Sequence, residues 1–304
     1  MTVQPGRFTP KLWLYFACVT MIWGSTWLVI KYQLGTVPPS WSVTWRFLVA
    51  GLVMLGYCLA TRRSLRLTPA GHGFALLLGL MQFSLNFNFV YRAEAHVTSG
   101  LVALMFALLV LPNALLSWLF LGTRVSPRFL LGSVIGILGV VAMCWTDLAR
   151  PDPAGGGAAG GEVLLGLGLA VAGVLSASVA NVVQATRQGR AQPLEAGLAW
   201  AMFYGTLMNA TLAWSVSGPP AIEPTLGYLS GVGYLAVAAS AVAFMLYYQL
   251  IREVGAGRAA YSGVMVPLVA LALSTLFEGF QWSWLAAAGA ALALSGLVVA
   301  LRSR

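Results

Sequence analysis

Apolar runs of roughly twenty residues, each long enough to cross a bilayer, recur from Leu12 to Leu301 with only short polar breaks between them. In lipid every backbone polar group must be satisfied inside the spanning element, which leaves helices and closed barrels. Barrel strands alternate apolar and polar residues over about ten positions, whereas these runs are continuously apolar. The chain therefore reads as an all-α membrane protein. Of its 304 residues 59% are hydrophobic and 8% charged, against about a quarter charged in soluble domains.

Cutting the runs at polar and Pro/Gly breaks predicts ten transmembrane helices, at about 12–30, 41–60, 73–91, 97–121, 129–146, 163–185, 197–216, 226–251, 259–277 and 282–301. An even number returns both termini to one side. That side collects Arg7, Lys11, Arg62, Arg63, Arg66, Arg124, Arg128, Arg187, Arg190, Arg252, Arg258, Arg302 and Arg304, and the other only Lys31, Arg92 and Arg150. Acidic residues run the other way, with Glu94, Asp147, Asp152, Glu162, Glu223 and Glu278 opposite the termini. Basic loops stay in the cytoplasm, so both termini are expected there. The net charge of +9 follows from this topology and calls for no nucleic acid; the expected partners are the bilayer and a small-molecule substrate.

The same sequence argues against several activities. No Gly-rich loop ending in Gly-Lys-Ser/Thr occurs, so transport driven directly by ATP is not expected. Cys18, Cys58 and Cys144 stand singly in separate runs, without paired spacing for metal, haem or redox chemistry, and no cofactor is expected. An intramembrane serine protease needs Ser and His on facing helices. His72 falls in a cytoplasmic loop and His96 at the outer rim, and His-Glu-x-x-His is absent. An enzyme is not the expectation.

A shift of 155 residues lays the first half of the chain on the second. Pro112 falls on Pro267, Thr123 on Glu278, and 95–112 on 250–267; after a two-residue gap Gly132 and Gly139 meet Gly289 and Gly296. Five helices per half reverse the second half in the membrane, giving a 5+5 inverted repeat. Its expected parts are a first repeat over 1–147, a Gly/Pro-rich periplasmic linker over 148–162 and a second repeat over 163–304. Inverted repeats characterise secondary transporters, whose substrate site lies near the midplane between the halves.

The first helix with Trp23-Gly24-Ser25-Thr26-Trp27, Arg46 in the second helix, and Pro112 with Gly122-Thr123-Arg124 resemble the EamA-type, ten-helix branch of the drug/metabolite transporter superfamily. The second half repeats the pattern with Arg258-Ala259-Ala260, Pro267 and Glu278. The resemblance covers nearly the whole chain and implies a bacterial inner-membrane carrier; the aromatic amino acid exporters are the branch it most suggests. Where the family usually carries Gly-Glu-Arg after the fourth helix, Thr123 replaces the glutamate, and Glu278 alone keeps that carboxylate.

Arg46 is the one basic residue well inside an apolar run, where a charge costs roughly 2.5–3.5 kcal/mol on insertion scales unless paired or hydrated. It either binds a substrate carboxylate or caps backbone carbonyls and snorkels outward. Gln82 and Asn86 share a face of helix three, with Asn88 and Tyr91 on the neighbouring one. These groups either read the ammonium and carboxylate of an amino acid or join helices by hydrogen bonds. Trp23, Trp27, Trp200, Tyr204, Phe244 and Tyr261 are candidates for an aromatic cavity. Pro112 and Pro267 each remove a backbone hydrogen bond and mark either a gating hinge or a structural kink.

No Asp or Glu lies in the middle third of a predicted span, which favours facilitated diffusion or exchange over proton coupling. The expected function is a monomeric secondary carrier that exports small amphipathic metabolites, amino acids including aromatic ones, by alternating access. A drug, nucleotide-sugar or sugar-phosphate carrier is the alternative. Phosphorylated substrates call for several buried cations, and only Arg46 qualifies.

Overall fold

The computed structural model describes residues 9–122, 126–148, 159–254 and 262–302, and among them every regular element is a helix. Helix starts are written locally as a hydroxyl residue followed by proline. Thr9 accepts from Leu12 N ahead of Pro10, Thr68 from Gly71 N ahead of Pro69, and Ser126 from Phe129 N ahead of Pro127. The hydroxyl satisfies an orphan N–H while proline, lacking one, fits the first turn.

The elements are α1 (Pro10–Gln33), α2 (Pro39–Ala60), α3 (Pro69–His96), α4 (Ser99–Ala107 and Val110–Leu121), α5 (Pro127–Leu148), α6 (Ala159–Ala185), α7 (Leu194–Ser217), α8 (Leu226–Ala236, Val237–Val242 and Ala243–Val254), α9 (Ser262–Phe277) and α10 (Trp284–Arg302). A short helix, Arg187–Ala191, precedes α7. Stretches in α1, α2, α3, α4, α6 and α8 are long and apolar enough to cross a membrane, and α5, α9 and α10 contain shorter apolar stretches.

Two helices are not uniformly α-helical. Within α3, Gly79–Asn86 takes the wider π-helical turn, and within α8, Val237–Val242 does the same. The 155-residue offset carries the first segment onto 234–241, over the second. Carbonyls displaced by a wide turn need other donors, and neighbours supply them. Ser176 donates to Met81 O, Asn209 to Phe83 O, and Trp23 Nε1 to Ala239 O at 2.8, 2.9 and 3.2 Å.

Helix four breaks at Leu108–Leu109, one turn before Pro112. Proline cannot donate to Leu108 O, and its ring crowds that carbonyl. Leu108 and Leu109 instead donate to Met105 O and Phe106 O in tight three-residue turns, and Pro112 falls in the first turn of the new segment, which opens at Val110. Pro267, by contrast, lies inside the assigned helix α9. The left-handed Gly122, φ 68°, ends α4 by donating to Trp118 O.

Small residues set the helix crossings. A Cβ on Gly139 would lie 2.3 Å from Ala293 N, and one on Gly289 2.5 Å from Met143 N, so α5 and α10 touch backbone to backbone. Gly24 admits α9, since a Cβ there would fall 2.5 Å from Val269 Cβ. Gly24→Val is expected to lower stability by about 1–3 kcal/mol, read as an earlier thermal unfolding midpoint of the detergent-purified protein.

Candidate substrate-binding site

Arg46 is 1% exposed and lies where α2, α3 and α8 meet. Its guanidinium carbon stands 4.2 Å over the ring of Phe87 and 5.4 Å from that of Phe47. Its Nε donates to Ser240 Oγ at 3.0 Å, and Ser240 donates onward to Leu235 O within the wide turn of α8. Nη1 is buried without a hydrogen-bond partner. The aromatic faces hold the cation by its quadrupole attraction, Ser240 and the neighbouring Tyr91 hydroxyl fix its plane, and Nη1 remains uncommitted. The expected alternative of a cap on backbone carbonyls is not what holds it here.

The aromatic residues around this cation form one continuous cluster. Phe47 packs on Phe83 and Phe87, Phe83 on Phe244, and Phe244 on Trp23 with centroids 5.5 Å apart. Trp27 stacks obliquely on Phe106 at 5.1 Å, with its Nε1 buried and unpartnered. Trp23 and Phe244 thus join the neighbourhood of Arg46. Tyr204 does not. Its hydroxyl bonds His72 Nδ1 at 2.9 Å and its ring stacks on Trp200, and His72 sits roughly 20 Å along α3 from Phe87 at about 1.5 Å per residue. His72 itself lies in the first turn of α3 rather than in a loop. Tyr261 lies outside the described residues.

The amides of α3 divide by role. Asn88 accepts from Ser40 and Arg92 and donates to Asn209 and to Ser84 O, while Arg92 also donates to Ser40. This closed network joins α2, α3 and α7 and serves packing. Asn88→Ala should destabilise the fold by about 1–3 kcal/mol for each buried partner left unsatisfied, measurable as a lowered midpoint without a shift in substrate preference. Gln82 and Asn86 are buried on the other face, at 7% and 3% exposure, and Asn86 Oδ1 has no partner.

Two groups that the sequence places in an external loop, Arg92 and Glu94, prove to belong to a helix. α3 continues to His96, and both lie in its last turns. Glu94 is 0% exposed and neither carboxylate oxygen has a hydrogen-bond partner. Lys31 donates to Glu94 O and to Val97 O, a cation closing a helix C-terminus. Glu278, at the end of α9, takes Ser99 N at 3.0 Å, Ser274 Oγ at 3.1 Å and the Ser99 hydroxyl. It is an N-terminal cap for α4 supplied by a different helix. Glu278→Gln should therefore cost about 0.5–2 kcal/mol of stability, seen in the unfolding midpoint.

Tyr91 connects this interior to an open cavity of about 630 Å³ between the far end of α1 and the start of α8. Gln33 and Tyr234 are among its lining residues. Gln33 is 4% exposed, accepts from Tyr91 OH at 2.9 Å and leaves Nε2 unpartnered. Tyr91 in turn lies within electrostatic reach of Arg46 and Glu94. Gln33 and Ser240 carry no sequence signal of their own: one ends an apolar helix, and the other sits in a run of small residues.

The EamA-like transporter family matches residues 11–145 and 164–302, the two halves on either side of the Gly/Pro-rich segment. The chain belongs to this family. The uncharacterized inner membrane transporter YedA of Escherichia coli (strain K12) is 29% identical over 92% of this chain and 89% of its own. Protein PecM of Dickeya dadantii is 26% identical over 94% and 89%. A solved crystal structure with 22% identity covers 96% of this chain and 98% of its own at a TM-score of 0.67, so the fold is shared. This EamA-like protein is a multi-pass transporter of the inner membrane.

Proposed function

We propose that this EamA-like transporter is a secondary carrier that exports small amphipathic metabolites, foremost amino acids including aromatic ones, by alternating access as a facilitator or exchanger. In this proposal ten crossings place both termini in the cytoplasm, the halves form an inverted repeat, and a monomer is sufficient. The observation that carries the substrate class is Arg46: a buried guanidinium with a free donor edge, stacked on Phe87 at the rim of an aromatic cluster. A carboxylate supplies the acceptor that edge lacks, and the cluster of Phe47, Phe83, Phe244 and Trp23 suits a planar or bulky side chain. Pro112 and Pro267 serve as the hinge or gate, supported by the break at Leu108–Leu109.

Counterflow in proteoliposomes tests this directly, with a panel of labelled amino acids and with or without an imposed pH gradient. Exchange of tryptophan or phenylalanine without a pH requirement is expected. Exchange of sugars, nucleotides or drugs but of no amino acid would replace the substrate class. Accumulation driven by a pH gradient and lost in Glu278→Gln would replace the facilitator mechanism.

A further inference from the structure

The same neighbourhood holds a second uncommitted charge. The Glu94 side chain is wholly buried in the last turns of α3 with neither oxygen hydrogen-bonded. A buried carboxylate in that condition is costly until a cation or donor joins it. Lys31 is close, its ammonium donating to the Glu94 carbonyl, and Arg46 stands over Phe87, two turns before Glu94 on the same face of α3, yet neither is committed to the carboxylate. The Lys31 ammonium is held by the carbonyls of Glu94 and Val97, and Arg46 Nε by Ser240. Among the described residues the one ion pair within 4 Å is His96 with Glu162 of α6. The nearby Glu278 is committed to Ser99 and Ser274. Glu94 thus offers two unpartnered acceptor oxygens, and Arg46 an unpartnered Nη1.

An unpartnered acceptor and an unpartnered donor on one side of α3 match the two ends of a zwitterion. Resting on the amino acid carrier proposed above, we infer that Glu94 receives the ammonium group of the substrate while Arg46 receives its carboxylate, so that the carrier selects amino acids over their deaminated and decarboxylated analogues. An ammonium offers three donors to two oxygens that have none. A divalent metal is a poorer occupant: the described residues contain no group of three or more His, Cys, Asp or Glu side chains able to hold one. Tyr91 is bonded to Gln33, one of the residues that line the open cavity.

Competition in proteoliposome counterflow separates the possibilities, with labelled phenylalanine as tracer and unlabelled phenylalanine, 3-phenylpropionate and phenethylamine as competitors. In the wild-type protein phenylalanine should compete at least roughly tenfold better than either analogue, as expected from one charge-assisted hydrogen bond. In Glu94→Gln phenylalanine should weaken roughly ten- to hundredfold, down to 3-phenylpropionate, whose own competition stays unchanged. In Arg46→Gln phenylalanine should instead fall toward phenethylamine. If Glu94→Gln does not fold, Glu94→Asp serves: it should weaken phenylalanine and spare 3-phenylpropionate, and equal weakening of both overturns the inference. Retention of the wild-type preference in Glu94→Gln overturns it, as does a change confined to the response to a pH gradient, which would make Glu94 a proton site. Wild-type protein that exchanges no amino acid removes the carrier proposal and this inference together. Amino acid exchange with unaltered selectivity in Glu94→Gln removes the inference alone.

Discussion

Replacing Arg46 with glutamine should leave a folded protein whose apparent affinity for carboxylate substrates is reduced roughly ten- to hundredfold, the worth of a charge-assisted hydrogen bond in a buried site. Glutamine retains a donor but loses the charge and the flat face that lies over Phe87. Arg46→Lys should recover little, because an ammonium cannot bond Ser240 through Nε, stack on the ring and present a second planar edge together. Half-saturation in counterflow, with the thermal midpoint measured in parallel, checks both variants. Unchanged affinity in a normally folded Arg46→Gln protein would make the residue a strut between α2 and α8, and the carboxylate assignment would go with it.

The largest loss of stability should come from the α5–α10 crossing. Gly139→Leu drives a side chain into a space whose walls are Ala293 N and Gly289 O, at 2.3 and 2.6 Å from the added Cβ. Backbone cannot rotate aside as a side chain does. The cost should reach or exceed the upper end of the about 1–3 kcal/mol typical of overpacking. Gly296, whose Cβ would meet Gly136 N at 2.4 Å, should respond alike. An early thermal midpoint and aggregation on size exclusion would show it; a Gly139→Leu protein as stable as the parent would mean that the two helices separate freely.

The helical class is legible in the sequence because it is set by composition and the length of the apolar runs. Most predicted helix positions agree with the structure within a few residues, since Thr-Pro and Ser-Pro pairs and glycines punctuate the chain locally. Arg46 is legible too, as a charge isolated in an apolar run. Glu94 is not, because a carboxylate two residues from an arginine reads as a loop, and its burial depends on α6, α1 and α9 closing over the end of α3. Tyr204 and Trp23 are both aromatic residues inside apolar helices, yet only Trp23 reaches the cluster around Arg46. The π-helical turns in α3 and α8 also shift the faces beyond them, which a count at 3.6 residues per turn does not anticipate.

The wide turns in α3 and α8 set how such a chain tolerates change in length. In a uniform α-helix, deleting one residue turns everything beyond it by about 100° and scrambles every face downstream. A wide turn holds one residue more than the helix strictly requires. Loss of a single residue between Gly79 and Asn86, or between Val237 and Val242, removes the surplus rather than a hydrogen-bonded rung. These two segments are therefore the places where a length variant of the protein keeps its backbone bonded while its side chains are dealt out to different neighbours.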